Sequence, residues 1–391
     1  MNYYEASLKM HAENRGKIEV VSKVSIKTKD DLSIAYSPGV AEPCREIAKN
    51  PADIYKYTNK GNMVAVVTDG SAVLGLGNIG AAAGMPVMEG KAILFKEFGD
   101  VDAFPICLDT QDTEEIIETV KRIAPTFGGI NLEDISAPRC FEIEERLIKE
   151  LDIPVFHDDQ HGTAIVCLAG LINALKLTNR KFEDIKVVVN GVGAAGVAIT
   201  KLLIVYGVHP ENILLCDSKG AIYYSRDNLN AVKEDLADIT NVACKLGLDH
   251  PDCKTGGLAE IMKGADVFLG VSKAKLVTQD MVRSMAKDPI IFAMANPEPE
   301  ILPDLAKEAG AAIVATGRSD YPNQVNNVLG FPGIFRGVLD AGIKVIDNKI
   351  KIAAAETIAG YIKEPTMDAI IPSPLDKGVA TAVADAIRKL A

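Results

Sequence analysis

The 391-residue sequence lacks the features typical of membrane proteins, secreted proteins and nucleic-acid-binding proteins. Its apolar runs are all far shorter than the ~20 residues that a membrane-spanning helix needs. Residues 1–17 are polar and lack the apolar core of a secretory signal. Lys and Arg form no cluster with interleaved aromatic residues, and the net charge of −11 argues against nucleic-acid binding, which needs a basic face for the phosphates. We therefore expect a cytoplasmic protein without a membrane span or a nucleic-acid partner.

Cysteine is also scarce. The seven cysteines are odd in number and contain no Cys-x-x-Cys spacing, which is the common signature of zinc and redox sites. We therefore expect buried or incidental thiols in a reducing compartment, and neither a disulfide framework nor a zinc site.

The chain does have enough residues for two hydrophobic cores, and strand-like and helix-like segments alternate along it. The fold class predicted is α/β with two domains: an N-terminal α/β domain for substrate and metal over residues 1–160, and a C-terminal doubly wound, Rossmann-type dinucleotide-binding domain with C-terminal helices over 161–391. Strands are predicted at 63–68, 104–108, 128–132, 154–156, 186–189, 213–216, 267–270, 290–293 and 312–315, and helices at 86–98, 113–123, 139–151, 163–177, 353–362 and 377–390.

The pattern G-x-G-x-x-G occurs twice, and its context separates the two copies. Residues 191–196 (GVGAAG) follow a predicted strand directly and open a predicted helix that runs to about Tyr206. The next strand ends in Asp217, an acid placed to accept from a ribose hydroxyl. The predicted cofactor contacts are Gly191, Gly193, Ala194, Ala195, Gly196, Asp217, Ser218, Lys219 and Asn296. Residues 75–80 (GLGNIG) begin seven positions beyond their strand and lack such an acid, so we interpret them as a structural turn or a wall of the substrate pocket.

The choice between NAD and NADP stays open at this point. Asp217 favours NAD because a carboxylate accepts from the 2′-hydroxyl, whereas Ser218 and Lys219 follow at once and are able to meet a 2′-phosphate.

Two pairs of adjacent acids, Glu133-Asp134 and Asp158-Asp159, each follow a short apolar stretch. The chain has seven such pairs, about the number expected by chance, so adjacency alone means nothing, and we expect the others, such as Glu144-Glu145, on solvated helix faces. The carboxyl end of a strand, however, directs side chains into a crevice, and Mg²⁺ and Mn²⁺ prefer carboxylate oxygens. We therefore interpret these two pairs as a metal-site hypothesis.

Four further side chains would not be selected from spacing alone. Lys91 in a helix-like stretch is expected to be solvated, and Tyr36 in a turn sequence is expected to pack with its hydroxyl bonded. Asn296 and Asn327 follow strand-like or glycine-rich segments, where loop capping is the simpler interpretation.

Six stretches of the sequence resemble the malic enzyme family in its small prokaryotic-type form. They occur in the family's order and extend from about residue 15 to about residue 340, which covers most of the chain. The stretches are residues 35–40 (AYSPGV), 70–77 (GSAVLGLG), 89–91 (EGK), 131–135 (NLEDI), 156–164 (FHDDQHGTA) and 317–322 (GRSDYP).

The resemblance implies oxidative decarboxylation of L-malate to pyruvate and CO₂ with NAD or NADP and a divalent cation, Mg²⁺ or Mn²⁺. The roles that it implies are metal ligands at Glu133, Asp134 and Asp159, a general base at Lys91 with Asp158 beside it, a general acid at Tyr36, and substrate-holding amides at Asn296 and Asn327. For Lys91, we hypothesise that partial desolvation near a metal pushes the amine toward its neutral form. We also expect a homodimer or a larger homo-oligomer.

The chain departs from the wider family at one point. Larger members have a carboxylate-clamping arginine ahead of the Gly-Leu-Gly loop, where this chain has Ser71, Ala72 and Val73. Asn296, Asn327 and the backbone amides of residues 75–80 are the candidates to replace it. Two alternative functions remain open: a malolactic-type enzyme that retains NAD and releases lactate, and a catalytically silent dinucleotide-binding sensor. Longer hybrid relatives carry a phosphotransacetylase-like domain, which we do not expect here.

Overall fold

The computed structural model describes residues 2–73 and 75–391; Leu74, within the motif at 70–77, lies outside the described residues. The first part of the chain forms a parallel sheet of four strands among these residues, in the order β2-β1-β3-β4. Its strands are β1 (Met63–Thr68), β2 (Asp102–Cys107), β3 (Gly129–Leu132) and β4 (Val155–His157). Its helices are α1 (Tyr3–Asn14), α2 (Lys29–Ala35), α3 (Ala41–Lys49), α4 (Ile54–Tyr57), α5 (Ala81–Gly99), α6 (Thr113–Ile123), α7 (Arg139–Glu150) and α8 (Asp158–Leu177).

The second part forms a sheet of six strands among the described residues, in the order β10-β9-β8-β5-β6-β7, and only β7 within it is antiparallel. Its strands are β5 (Val187–Asn190), β6 (Ile213–Asp217), β7 (Gly220–Ala221), β8 (Val267–Gly270), β9 (Ile290–Ala293) and β10 (Ile313–Thr316). Its helices are α9 (Ala194–Tyr206), α10 (Ala231–Ile239), α11 (Leu258–Ile261), α12 (Gln279–Arg283), α13 (Pro303–Glu308), α14 (Phe331–Ala341), α15 (Asn348–Tyr361) and α16 (Lys377–Arg388). Short 3₁₀ helices occupy Pro51–Asp53, Asn59–Asn62, Ala124–Thr126, Pro210–Asn212, Val242–Leu246 and Asn327–Leu329.

This strand order confirms the predicted α/β class and the doubly wound sheet, because the order reverses next to β5, the first strand of the second sheet. The central strands are buried on both faces, as their continuous apolar sequence requires. None of the described helices is long and apolar enough to cross a membrane.

The two sheets share one hydrophobic core through α5, α8 and α14. The rings of Phe95 on α5 and Phe331 on α14 lie 4.7 Å apart, centroid to centroid. Phe335, one turn further along α14, contacts both Phe95 and Phe156 edge to face. Helix α14, from the second part of the chain, thus packs against α5 and β4 of the first part.

Lys60 also joins separate segments of the first sheet. Its side chain is buried, and its Nζ donates hydrogen bonds to the carbonyl oxygens of Ala124, Pro125 and Phe127. These carbonyls belong to the 3₁₀ helix Ala124–Thr126 and its cap residue Phe127, directly before β3. Lys60 thereby connects the entry of β1 to the entry of β3.

The cysteine prediction is wrong for two residues, because Cys244 and Cys253 form a disulfide. Their spacing carries no sequence signature, and their approach depends on a turn closed by Asn241. The Asn241 side chain accepts from the backbone N–H of Lys254 at 3.1 Å and donates to its carbonyl at 2.7 Å. The other five cysteines are free, and Cys140, Cys167 and Cys216 are buried.

Candidate active site

The two acidic pairs meet because β3 and β4 are neighbouring parallel strands. Glu133 and Asp134 directly follow β3, and Asp158 and Asp159 directly follow β4 as the first residues of α8. One carboxylate oxygen each from Glu133, Asp134 and Asp159 lies within 4.8 Å of the other two. The structure therefore brings together the three acids that the sequence proposes as metal ligands.

The backbone at Asp134 is folded to make this cluster. Its φ of 54° lies in the left-handed region, which Asp tolerates better than most residues. The turn directs the Asp134 N–H to Asp159 Oδ2 at 2.8 Å and the Asp134 carbonyl to the N–H of Ala72 at 2.9 Å. Asp159 is thus aimed by the backbone of a second candidate ligand.

Lys91 projects from α5 into the same cluster. Its Nζ lies 2.6 Å from Asp158 Oδ2 and 2.9 Å from Glu133 Oε1, and 4.3 Å above the ring of Phe331. Only 10% of the side chain is exposed. The prediction that Lys91 is solvated is therefore wrong. The side chain is a buried cation between two carboxylates.

Burial alone would lower the pKa of Lys91, but the charges of Asp158 and Glu133 outweigh it and raise that pKa above its ordinary value. Beside these two carboxylates desolvation alone does not make Lys91 neutral, and the hypothesis that a nearby metal pushes the amine toward its neutral form stays a prediction. The pKa of Glu133 is raised well above its ordinary value, first by burial and then by Asp159, Asp158 and Asp134, against the opposing effect of Lys91.

Glu144 was expected on a solvated helix face, and that expectation is wrong. Its side chain is buried and accepts from the N–H of His157 at 2.8 Å, from Gln160 Nε2 at 3.0 Å and from His161 Nε2 at 2.9 Å. Burial opposes its ionisation, yet His161 and the other partners lower the pKa of Glu144 to about 2. Glu144 thus fixes the first turn of α8, which carries Asp158 and Asp159.

A signal for Glu144 exists in the sequence. The buried side of α7 also contains Cys140, Ile143 and Leu147, at the helical spacing of i, i+3 and i+7. Position 144 lies on this stripe, and a charged residue on an apolar stripe has a buried partner. Adjacent Glu145 lies off the stripe and is exposed.

The two amides occupy different parts of the site region. Asn327 Nδ2 donates to Asp158 Oδ2 at 3.0 Å and contacts Thr163 Oγ1, so Asn327 belongs to the acidic cluster. Asn296 lies beside Gly317 and Gly75: a Cβ atom on Gly317 would stand 3.0 Å from Asn296 Nδ2, and one on Gly75 would stand 3.4 Å from the Asn296 carbonyl oxygen. The loop at 75–80 therefore faces the second sheet, which favours its interpretation as a pocket wall.

Tyr36 is not brought to the cluster within this chain. Its side chain is 68% exposed, in contrast to the packed turn residue that spacing suggested. It lies on a long N-terminal arm, residues 2–57, in which no described side chain is buried. The arm exposes large apolar side chains, including Tyr3, Val20 and Ile34 at 79%, 83% and 75%.

The glycines of residues 191–196 have the geometry of a dinucleotide cradle. Gly191 has a φ of 106°, and a Cβ there would stand 2.5 Å from the Val271 carbonyl oxygen. A Cβ on Gly196 would stand 1.8 Å from the Gly191 carbonyl oxygen, so only glycine allows α9 to pack so closely. No described atom lies within 4 Å of the Cβ position of Gly193, which leaves that side open to a pyrophosphate at the α9 N-terminus. Ala194 and Ala195 form the first turn of α9.

Asp217 ends β6, as predicted, but it is already paired with cations. Arg226 donates to both of its oxygens, at 3.0 and 2.7 Å, and Lys233 Nζ donates to Oδ2 at 2.7 Å. Burial alone would raise the pKa of Asp217, and these hydrogen bonds hold it below its ordinary value. Ser218 and Lys219 have exposed side chains, and Lys219 contributes its backbone N–H to Asp217.

Arg139 was not identified from the sequence. Its side chain contacts Ser71, in the stretch where larger family members have the carboxylate-clamping arginine. Its Nη2 lies 2.8 Å from Asp69 Oδ2 and 3.0 Å from Ser71 Oγ. The helical position of Arg139, at the start of α7, gives no local sign of this long-range contact. Arg139 supports the turn after β1.

Two family models match consecutive parts of the chain: the malic enzyme N-terminal domain over residues 15–148 and the malic enzyme NAD binding domain over residues 160–391. The chain belongs to the malic enzyme family. It is 60% identical to a bifunctional malic/malolactic enzyme of Bacillus subtilis, over 100% of this chain and 93% of that protein. It is 58% identical to an NAD-dependent malic enzyme of Geobacillus stearothermophilus, over 95% and 76% of the two chains.

The fold agrees with that of a malic enzyme of known structure. The crystal structure of a malic enzyme from Pyrococcus horikoshii superposes with a TM-score of 0.93 at 50% identity, covering 99% of this chain and 90% of that one. Such agreement over nearly the whole length means that both sheets and their mutual arrangement are those of a malic enzyme.

Proposed function

We infer that the chain, an NAD(P)-dependent malic enzyme, converts L-malate to pyruvate and CO₂ at the cleft that contains Lys91 and the acidic cluster. The observation that carries this inference is the contact of Lys91 with both Asp158 and Glu133, because Glu133 is also one of the three clustered carboxylates. A base and a cation-binding group thereby face one small space.

The carboxylates of Glu133, Asp134 and Asp159 would hold a divalent cation. The fit is good, because three like charges within 4.8 Å are costly unless a cation compensates them, and all-oxygen donor sets suit Mg²⁺ and Mn²⁺. When bound, the cation would supply Lewis-acid polarisation of the substrate oxygen at C2.

We assign the other steps to the chain's own side chains. Lys91 Nζ first gives a proton to Asp158, which lies 2.6 Å away and orients the amine, and the neutral amine then takes the proton of the C2 hydroxyl. Asn327, bonded to Asp158, and Asn296, beside the 75–80 loop, bind the substrate carboxylates. Residues 191–196 would hold the pyrophosphate of the dinucleotide, whose nicotinamide would accept the hydride from C2.

Oxidation at C2 is followed by cleavage of the C3–C4 bond, which releases CO₂ and leaves an enolate. Tyr36 is the proposed acid that protonates this enolate at C3. Its exposure, together with the apolar surface of the arm, supports a homodimer in which the arm covers a second copy of the chain. We propose that Tyr36 acts in the cleft of the partner subunit. A cytoplasmic location stays a proposal from composition, and the Cys244–Cys253 disulfide removes the cysteine pattern as support for it.

A malolactic activity is the second candidate, and the name of the Bacillus subtilis relative favours it. The two activities differ in what accumulates. We expect one pyruvate and one NAD(P)H for each malate consumed. Lactate formed from malate without net reduction of the cofactor would establish the malolactic reaction instead, and measurement of all three products in one reaction separates the two.

A further inference from the structure

A buried hydrogen-bond donor lies beside the acidic cluster without an aligned partner. The ring of His157, the last residue of β4, is fully buried, and among the described residues its Nε2 makes no aligned hydrogen bond. This nitrogen lies 3.1 Å from Oδ2 of Asp159, one of the three candidate metal ligands. A buried polar group without a hydrogen bond costs free energy, so the placement of this nitrogen beside a carboxylate needs an explanation.

The other ring nitrogen of His157, Nδ1, has a partner that fixes the position of the ring proton. Gln160 Nε2 lies 3.0 Å from His157 Nδ1 and 3.0 Å from Glu144 Oε2. Because the pKa of Glu144 is lowered to about 2, its carboxylate oxygens only accept, and they turn the NH₂ group of the Gln160 amide toward both partners. Nδ1 therefore accepts a hydrogen bond, and the neutral ring carries its proton on Nε2, the nitrogen that faces Asp159.

Asp159 thereby faces two donors on the same oxygen. Oδ2 accepts from the backbone N–H of Asp134 at 2.8 Å, and His157 Nε2 approaches the same Oδ2. Both contacts leave the lone pairs of Oδ1 available to a cation. Two donors restrict the rotation of a carboxylate more than one does, and donors that orient a ligating side chain raise the affinity of a metal site.

We propose that His157 is a positioning residue of the metal site, whose Nε2–H holds Asp159 Oδ2 while Asp159 ligates the divalent cation. Glu144 and Gln160 act one step further back, because they keep the ring proton on Nε2. The buried side of α7 thus contributes to metal affinity without touching the cation. This proposal rests on the metal site of the proposed function.

Two amide substitutions separate the roles of the two ring nitrogens. The amide of glutamine reaches the position of Nε2, whereas the shorter asparagine reaches only that of Nδ1. His157→Gln therefore keeps a donor for Asp159, and His157→Asn keeps an acceptor for Gln160. We would titrate Mn²⁺ into the full-length wild type and each variant by calorimetry, without malate or nucleotide. His157→Asn should bind Mn²⁺ about 10- to 100-fold more weakly than the wild type, and His157→Gln should stay within about threefold of it.

Binding of NAD⁺, titrated in the same way without metal, is the control for folding. The dinucleotide loop at residues 191–196 shares no contact with His157, so both variants should bind NAD⁺ within about twofold of the wild type. A residue that only supported the fold would lower both affinities together, and His157→Gln would not restore one of them.

The proposal is overturned if both variants bind Mn²⁺ as the wild type does, if His157→Gln loses as much affinity as His157→Asn, or if either variant no longer binds NAD⁺. A wild type that binds no Mn²⁺ would refute the metal site and the role of His157 together. Malate turnover is measured separately. Normal turnover by the wild type with equal Mn²⁺ affinities in the two variants would refute only the role of His157. The selective loss in His157→Asn, from a wild type that binds Mn²⁺ but fails to oxidise malate, would sustain His157 and refute the proposed function.

Discussion

At the scale of single residues, Asp159 is the acid whose replacement best isolates metal binding. Its side chain is 34% exposed, against 7% for Glu133, so an amide there disturbs the fold least. Asp159→Asn removes one anionic ligand, and we expect the Mn²⁺ concentration for half-maximal activity to rise on the order of tenfold or more.

A metal titration of malate oxidation measures this effect. The control is Asp152→Asn, because the Asp152 side chain is 93% exposed and pairs with Lys344 outside the acidic cluster. This variant should leave the metal titration unchanged. If Asp159→Asn requires no more Mn²⁺ than the wild type, Asp159 is not a ligand.

Replacement by valine should have different effects at two glycines of the dinucleotide-binding loop, residues 191–196: one variant should lose cofactor binding and the other should lose stability. Gly193→Val keeps an allowed φ of −94° and meets open space, so the variant should fold but fill the place of the pyrophosphate and lose NAD(P) binding. Gly196→Val places a Cβ on the Gly191 carbonyl and should destabilise the fold itself.

Circular dichroism and calorimetry on the two valine variants distinguish these outcomes. A folded Gly193→Val protein with normal affinity for NAD(P) would show that the wrong glycine loop has been assigned.

Whether a site residue can be predicted from the sequence depends on how near its interaction partners lie along the chain. The acids at the ends of β3 and β4 could be proposed from sequence because strand ends are visible there. Arg226 and Lys233 could not, since each acts through Asp217 on another element, and Glu144 is indicated only by its position on the apolar stripe of α7. Lys91 became a candidate through the family resemblance, as helix spacing alone favours a solvated lysine.

At the scale of elements, Lys60 should stabilise the junction of β1 with β3. Lys60→Met keeps the aliphatic stem but removes the ammonium from three carbonyls, so we expect the free energy of unfolding to fall by about 2 to 4 kcal/mol. Urea unfolding measures the change. Lys56→Met, on exposed α4, should have the midpoint of the wild type, and equal midpoints for Lys56→Met and Lys60→Met would refute the role of Lys60.

The start of α8 shows why element boundaries were missed. The predicted start at residue 163 is wrong, and the helix begins at Asp158 without a side-chain cap from His157. Glu144 on α7 accepts the His157 N–H in place of a local cap, and a cap supplied from 13 residues away leaves no local signature. By contrast, α6 has a local Asp112 cap and acids in its first turn, and its predicted bounds, 113–123, are confirmed. No bounds were predicted for helices α1–α4 and α10–α14 or for the antiparallel β7.

At the scale of the whole molecule, a shared active site makes a strong prediction about mixed subunits. Tyr36→Phe and Lys91→Ala should each be inactive alone, because a general acid or base is worth about 10² to 10⁴ in rate. A dimer containing one chain of each kind has one intact site if Tyr36 serves the partner. Random reassociation gives half mixed dimers, so about a quarter of wild-type activity should return.

Activity measured after the two variants are mixed and allowed to exchange subunits tests this arrangement. Co-purification through two different affinity tags confirms that mixed dimers have formed. Mixed dimers without recovered activity would show that Tyr36 serves its own subunit or is not the acid.

The central claim is that one cleft combines a divalent cation, held by Glu133, Asp134 and Asp159, with a base at Lys91 to oxidise malate. The most direct measurement is malate-dependent reduction of NAD⁺ and of NADP⁺, followed by absorbance, before and after EDTA and again after added Mn²⁺. We predict reduction that EDTA abolishes and Mn²⁺ restores in the wild type, and that Mn²⁺ fails to restore in a Glu133→Gln variant. Malate oxidation that persists in EDTA, or that survives Glu133→Gln unchanged, would contradict the account.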